Sequence, residues 1–296
     1  MRFNIIGAGN LGKTIGYLFG NSLTNQLQIN SICNTSLASS DKAVKFIGAG
    51  YPTTLDKLTT CEITLISVQD DLIEAIAEKI SAQDNIIPGS IFFHCSGSLT
   101  SDALKSLRSK GAYVASIHPM KSFASPELSI TNFKGTFCAM EGDQEALSIL
   151  EPLFTGIGAF TYHIEKSKKS LYHAAGVFAS NYLVTLSQKA LECLTESGVE
   201  NNMAMQIITN IMKGTISNLA TTLSPEQSLT GPIKRGDVST IKKHISAFSD
   251  TDTKEIYTHL GKETLKLAGH DENVKDSLTK ALTSDEPSAS PKYTLF

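Results

Sequence analysis

An α/β domain with a mostly parallel sheet, followed by an all-α helical C-terminal domain, is the fold class that this 296-residue sequence predicts. Three observations carry the prediction. Apolar strand-like runs alternate with helical patterns as far as about Glu165, the arrangement that yields βαβ units. From Ser167 onward, long helical periodicities replace the strands. The chain also opens on an apolar run (Phe3, Ile5, Ile6) that feeds directly into Gly7-Ala8-Gly9-Asn10-Leu11-Gly12 and then an apolar helix with Ile15, Leu18 and Phe19.

Strand, G-x-G-x-x-G and helix in that order form a dinucleotide-binding fingerprint in its required context. Gly7 allows the tight turn, Gly9 lets a pyrophosphate approach the backbone, and Gly12 lets helix and strand pack closely. Asn10 and Leu11 lie in the first helical turn, where unpaired N–H groups and the helix dipole favour phosphate. A second strand, Leu27 to Cys33, ends in Asn34-Thr35-Ser36. An NAD site usually offers Asp or Glu there to the ribose hydroxyls. Short amide and hydroxyl side chains without a carboxylate predict NADP, with NAD the less favoured form. No arginine is present to clamp a 2′-phosphate, although Lys42 is available.

The remaining α/β elements follow in order. Ser39 to Gly48 reads as a helix and Tyr51-Pro52 as an edge strand or turn. Ile63 to Val68 is a buried strand, and Gln69-Asp70-Asp71 opens the next helix, with both aspartates read as capping residues over catalytic ones. Val68 and Gln69 thereby join the cofactor edge. Ser90 to His94 is a strand followed by Cys95-Ser96-Gly97-Ser98. No G-x-S-x-G elbow surrounds Ser96, so it reads as part of a small polar loop touching the nicotinamide ribose. Tyr113 to Ile117 ends in His118-Pro119-Met120, where His118 either holds its turn by hydrogen bonding or reaches the pocket. Phe137 to Met140 and Phe160 to His163 close the alternation around a helix from Gln144 to Phe154. A parallel sheet binds ligands outside the carboxyl ends of its strands, which is where these polar stretches fall.

In the helical half, Ser167 is the expected N-cap of a helix running to about Ser197 and stopping at Gly198. Lys169, His173, Val177 and Asn181 recur every four residues and fall on one stripe. That stripe is either a polar wall facing the nicotinamide, making His173, Asn181 and Lys169 the catalytic candidates, or a solvated lysine, a core histidine and a helix-to-helix amide. Glu200 to Leu219 is a further helix whose methionines suit core or dimer packing. Ser224-Pro225-Glu226-Gln227 forms a capping box, and the Leu229 to Asp237 loop precedes a helix capped by Asp237. Arg235 suits an acidic substrate group or is simply exposed. Asp252 to Glu255 reads as another capping box, and its helix ends near Gly269. The expected divisions are residues 1–164, 165–283 and a loosely ordered tail, 284–296.

Bulk properties narrow the function classes. A net charge of −3, with 41% hydrophobic and 19% charged residues, fits a globular protein and gives no reason to expect a nucleic-acid or membrane partner. Five cysteines without a C-x-x-C pair predict neither a disulfide framework nor a zinc site, and His244, His259 and His270 lack metal-ligand spacing. An N-terminus that begins with a strand predicts no signal peptide and a cytoplasmic location.

Taken together, the Gly7 to Gly12 fingerprint, His94-Cys95-Ser96-Gly97, Ser116-Ile117-His118-Pro119, Leu171-Tyr172-His173-Ala174-Ala175, Ser180-Asn181-Tyr182 and Leu229-Thr230-Gly231-Pro232 with Arg235-Gly236-Asp237 resemble the Rossmann-like proteins with a C-terminal domain of unknown function 2520. That family is similar in layout to pyrroline-5-carboxylate reductases and 3-hydroxyacid dehydrogenases. The resemblance implies an NADP-dependent oxidoreductase, a homodimer through the helical domain and a small-molecule substrate. In 3-hydroxyacid dehydrogenases a lysine and an asparagine one turn later do the acid-base work. Here Lys169 is followed one turn on by His173, which leaves either residue as the proton donor. The expected activity is hydride transfer between nicotinamide and a small carbonyl, imine or alcohol. A non-enzymatic NADP sensor is the alternative.

Overall fold

A computed structural model describes residues 1–83 and 86–283, so the tail expected at 284–296 lies outside the described residues. By compactness the chain divides into two units, Met1–Tyr182 and Leu183–Phe296.

The first unit is organised by one eight-stranded sheet in the order β3-β2-β1-β4-β5-β6-β7-β8. Its strands are β1 (Arg2–Ile6), β2 (Gln28–Cys33), β3 (Tyr51–Thr53), β4 (Ile63–Ile66), β5 (Ile91–His94), β6 (Tyr113–Pro119), β7 (Phe137–Gly142) and β8 (Phe160–His163). The first six strands are parallel in the 3-2-1-4-5-6 order of a dinucleotide-binding sheet; β7 runs antiparallel to β6, and β8 parallel to β7. The connecting helices are α1 (Asn10–Ser22), α2 (Leu37–Ile47), α3 (Asp70–Ser81), α4 (Lys105–Arg108), α5 (Pro126–Thr131) and α6 (Gln144–Gly156).

Alternation along the strands sends neighbouring side chains to opposite faces and makes two cores. Ile5, Leu65, Phe93 and Ile117 pack with α1 and α6 residues such as Phe19 and Phe154, whereas Ile6, Ile66, Phe92 and Val114 pack with Ile73, Ile80 and Leu107 of α3 and α4. Because both faces are covered, the central strands read as continuous apolar runs. The carboxyl ends of β1 and β4, where strand order reverses, are left as the natural crevice.

A long helical run follows: α7 (Lys169–Gly176), a π-helical turn at Val177–Asn181, and α8 (Tyr182–Glu196). Ser167 does not cap it. That serine lies inside a 3-10 turn, Lys166–Lys168, and the residue before α7 is Lys168, with no side-chain cap bond. The division after Tyr182 therefore leaves α7 with the sheet, whereas the sequence places the boundary at residue 165. Side-chain bonds from Lys169 and Tyr172 to β6 and β7 provide the physical reason.

The second unit is helical: the rest of α8, then α9 (Asn201–Thr222), α10 (Pro225–Ser228), α11 (Pro232–Arg235), α12 (Val238–Ala247), α13 (Thr251–Ala268) and α14 (Glu272–Thr283). Its core joins Ile233, Ile241, Ile245, Leu265, Leu278 and Leu282. Ser224 and Asp237 cap α10 and α12 as their sequences predict, accepting from the N–H groups of Gln227 and Thr240. The cap of α13 is Asp250, which accepts from Thr253 N, and not the predicted box beginning at Asp252. The shift arises because Asp250 still has extended backbone, as an N-cap requires, while Asp252 is already helical. Among the described residues no helix is long and apolar enough to cross a membrane.

Candidate active site

The fingerprint turn is held by the strands on both sides of it. Gly7 N–H donates to Cys33 O at 2.8 Å, Ala8 N–H to Asn34 Oδ1 at 2.6 Å, and Ser67 Oγ–H to Gly7 O at 2.7 Å. Gly7 has φ +89°, and a Cβ there would lie 2.7 Å from Val68 Cγ1. A Cβ on Gly12 would lie 2.5 Å from Gly7 O and 2.6 Å from Ser67 Oγ. Gly9 differs: a Cβ would meet no protein atom within 4 Å. It opens onto a cleft of 760 Å³ lined by Gly7, Gly9, Asn34, Thr35, Val68 and Gln69 among others. Gly9 is also the N-cap of α1 with no side-chain cap bond, so the first amides of the helix remain for an anion.

The predicted cofactor residues fall into two groups. Gly7, Gly9, Asn34, Thr35, Val68 and Gln69 share the cleft wall. Others are committed to the scaffold. Asn10 Nδ2 donates to the carbonyls of Phe123 and Ala124, and Leu11 packs against the core. Ser36 Oγ accepts from Ser39 N and caps α2, and Asn34, although it lines the cleft, has its side chain spent on Ala8 N and on Ser39. Ser96 is 6% exposed; it donates to Asp70 Oδ2 at 2.6 Å and accepts from the N–H groups of Ser98 and Leu99. Asp70 thus accepts from Ser96 and Ser98 and is no side-chain cap of α3, whose N-cap is Gln69. Asp70 is already the first residue of the helix, one past the cap position, and its carboxylate turns to two serine hydroxyls from the neighbouring strand end.

A second cluster gathers at the carboxyl ends of β5 and β6. His94 Nε2 lies 3.0 Å from Thr100 O, which can only accept, so Nε2 carries the proton and Nδ1 accepts from Ser96 N at 3.2 Å. Burial, helped by the Lys169 charge, pushes His94 down to about 4 and keeps the ring neutral. His118 Nδ1 and the Tyr172 hydroxyl are 2.8 Å apart, and the His118 and His173 ring centroids are 5.7 Å apart. Burial first, then the charges of His173 and Lys169, lower His118 to about 4. Both imidazoles close over Gly97: a Cβ there would collide with His173 Cδ2 and lie 2.8 Å from His118 Nε2.

Beneath them lies a buried ion pair. Lys169, 2% exposed, donates through Nζ to Ser116 Oγ and, at 2.9 Å, to Glu141 Oε1. Glu141 in turn accepts from Ser101 N and Ser101 Oγ, each at 2.8 Å. Burial pulls the Lys169 ammonium below the usual lysine range, while Glu141 opposes the shift. His173, one turn further along α7, is half-buried and sits at the Gly97 floor.

The predicted stripe does not continue beyond this point. In the π-helical turn Tyr182 N bonds to Val177 O, an i→i+5 link, so residues four apart across it no longer stack. Asn181 leaves the stripe and is exposed. Arg235 is exposed on α11 in the second unit. Among the described residues no three His, Cys, Asp or Glu side chains are grouped to hold a metal ion.

Residues 1–119 match the Rossmann-like domain, and residues 136–264 match the Domain of unknown function (DUF2520). The chain is a Rossmann-like protein with a C-terminal DUF2520 domain. The crystal structure of protein TM1727 from Thermotoga maritima is similar to it at 26% identity, covering 93% of this chain and 98% of the other with a TM-score of 0.69. An imine reductase from Myxococcus stipitatus in complex with NADP+ is 14% identical, with 95% and 93% covered and a TM-score of 0.59. A 1-pyrroline-5-carboxylate reductase from Streptococcus pyogenes is 16% identical, with 96% and 99% covered and a TM-score of 0.55. No curated protein matches the chain.

Sequence reasoning missed several residues of this Rossmann-like site. Glu141 is the lone carboxylate of its strand, directly after the apolar run Phe137-Cys138-Ala139-Met140, and a charge in a buried strand demands a partner. That signal was available. Tyr172 and Gly97 stand in the motifs that carry the family resemblance, but nothing in the sequence singled out either as a contact of the histidines.

Proposed function

We propose that this protein is an NADP-dependent oxidoreductase moving a hydride between the nicotinamide and a small carbonyl, imine or alcohol substrate. The observation that carries the reading is Gly9: the fingerprint glycine that faces ligand is the one whose Cβ direction is empty, while Gly7 and Gly12 are fixed by protein contacts. A cradle that a Cβ would fill, beside uncapped helix amides, fits a pyrophosphate. When bound, the dinucleotide supplies the hydride or accepts it.

The chain's own residues supply the rest. The Gly7 to Gly12 backbone and the first amides of α1 hold the pyrophosphate, and Thr35 and Ser39 at the cleft wall face the adenosine ribose. NADP is favoured by the exposed Thr35 hydroxyl beside the N-terminus of α2 and by the absence of a carboxylate at the end of β2. His173 exchanges the proton with the substrate oxygen or nitrogen, since it reaches the Gly97 floor while Lys169 is sealed between Ser116 and Glu141. Lys169 is then a positioning residue that fixes α7, and through it His173. His118, kept neutral and tied to Tyr172, bounds the other side of that floor. Homodimer formation through the helical unit is part of the reading, supported by exposed Val184, Met203, Ile211 and Ile216.

The experiment pairs binding with turnover. NADPH titrations of the wild type and of Gly9→Ala are expected to show binding weakened at least about tenfold in the variant with unchanged thermal stability, as an intruding methyl in a phosphate cradle requires. His173→Ala should bind NADPH normally and lose turnover on a panel of carbonyls and imines. Absence of NADPH binding by the wild type rejects the dinucleotide reading. Binding without turnover on any panel member favours the sensor.

A further inference from the structure

The sequence lacks a carboxylate after β2, but the fold brings one to the same cleft from the end of β3. Strand β3 pairs in parallel with β2 in the register Ser31↔Tyr51, Ile32↔Pro52 and Cys33↔Thr53. The residues that follow Thr53 therefore leave the sheet beside those that follow Cys33, namely Asn34, Thr35 and Ser36. Thr54, Leu55 and Asp56 line the same cleft as Asn34, Thr35 and Ser39, and Asp56 is the charged side chain among the described residues that do so. The adjacent Lys57 does not line it. The Asp56 carboxylate is exposed, on a short 3-10 turn spanning Leu55–Lys57; the neighbouring Thr54 hydroxyl and then its own backbone N–H hold it below the usual carboxylate range, so it is ionised at neutral pH. Its charge reaches the last residue of β2: after burial, Asp56 is the second cause that raises the Cys33 thiol.

Asn34, meanwhile, is withdrawn from ligand reading. Its Oδ1 is bonded to Ala8 N and its Nδ2 to Ser39. The cleft residues at this rim then offer hydroxyls to the ribose, Thr35 and Ser39 among them, and a carboxylate, Asp56.

We propose that Asp56 shifts the discrimination between the two dinucleotide forms toward NAD, accepting from the ribose hydroxyls of NAD and opposing the 2′-phosphate of NADP. The proposal rests on the dinucleotide reading of the cleft. A carboxylate is an acceptor-only group when ionised, so it complements a diol and repels a phosphomonoester, which carries about −1.5 to −2 charges near pH 7. Asp56 thus does from β3 what an acidic residue at the end of β2 does in an NAD site. It tempers the NADP preference that Thr35 and the α2 terminus create.

The test uses the full chain and reads binding alone. Dissociation constants for NADPH and NADH are measured by the fluorescence of the reduced nicotinamide in the wild type, Asp56→Asn and Asp56→Ala. In Asp56→Asn the ratio of the NADPH to the NADH dissociation constant is expected to fall at least about fivefold at low salt, the scale of one exposed charge–charge interaction. The change should shrink as ionic strength approaches 0.5 M, since exposed charges are screened. Asp56→Ala should show the same gain for NADPH together with weaker NADH binding, because the acceptor is gone. A ratio that moves less than twofold in both variants overturns the proposal, as does an equal change for both dinucleotides, which marks a structural role. If the wild type binds neither, the dinucleotide reading itself fails, so the two failures are distinct.

Discussion

Removing the charge of Lys169 should damage the fold more than the exposed surface would suggest, and the size of the damage follows from what Lys169 touches. The Lys169 ammonium and the Glu141 carboxylate are sealed from water, and Ser101 N–H, Ser101 Oγ–H and Ser116 Oγ complete their hydrogen bonding. Breaking such a pair from one side leaves the other charge buried without a counterion, which costs about 3–5 kcal/mol. In a protein of this size, about 2–4 °C of melting temperature accompanies each kcal/mol, so Lys169→Met should melt about 6–20 °C lower. Replacing both partners, as in Lys169→Met with Glu141→Gln, removes both charges and keeps an acceptor for Ser101. It should recover at least about 2 kcal/mol relative to the sum of the single changes. The chain has no tryptophan, so urea and thermal unfolding are followed by far-ultraviolet circular dichroism. A single variant within about 1 kcal/mol of the wild type, or a double variant whose cost equals that sum, would refute the buried-pair reasoning.

Two further outcomes can be checked with the same apparatus. His94 is neutral in the folded protein down to about 4, against 6.5 when unperturbed, so between those values the unfolded chain binds more protons and stability falls as the pH falls. The loss attributable to His94 reaches about 3 kcal/mol by pH 4; urea midpoints measured from pH 7 to 4 should show a flatter decline in His94→Gln, and an unchanged slope would count against the assignment. Gly97→Ala pushes a methyl between the His118 and His173 rings. It should destabilise by about 1–3 kcal/mol through overpacking and lower kcat more than KM, measured on whichever panel substrate is turned over.

The fold was readable because its signals are local. Alternating runs such as Ile63 to Val68 and Ser90 to His94, and the glycine spacing at Gly7 to Gly12, need no knowledge of distant partners. The capping of α10 and α12 comes from the same kind of short-range chemistry. The candidate site was only partly readable, because its decisive contacts join residues far apart in sequence: Lys169 with Glu141 and Ser116, Tyr172 with His118, and Asp56 with the end of β2. A four-residue spacing also presumes an unbroken α-helix, which the π-helical turn at Val177–Asn181 violates, so Asn181 could not be placed from periodicity alone. Asn34 illustrates a different limit. Its residue type suited a phosphate, but its hydrogen-bonding capacity was already used by the turn next to it.

That same use of Asn34 bears on how a ligand is taken up. With Gly7 N–H, Gly7 O and Ala8 N–H all engaged by Cys33, Ser67 and Asn34, the phosphate turn is in its working shape before anything arrives. This turn does not have to be ordered during the encounter, so little conformational entropy is lost there.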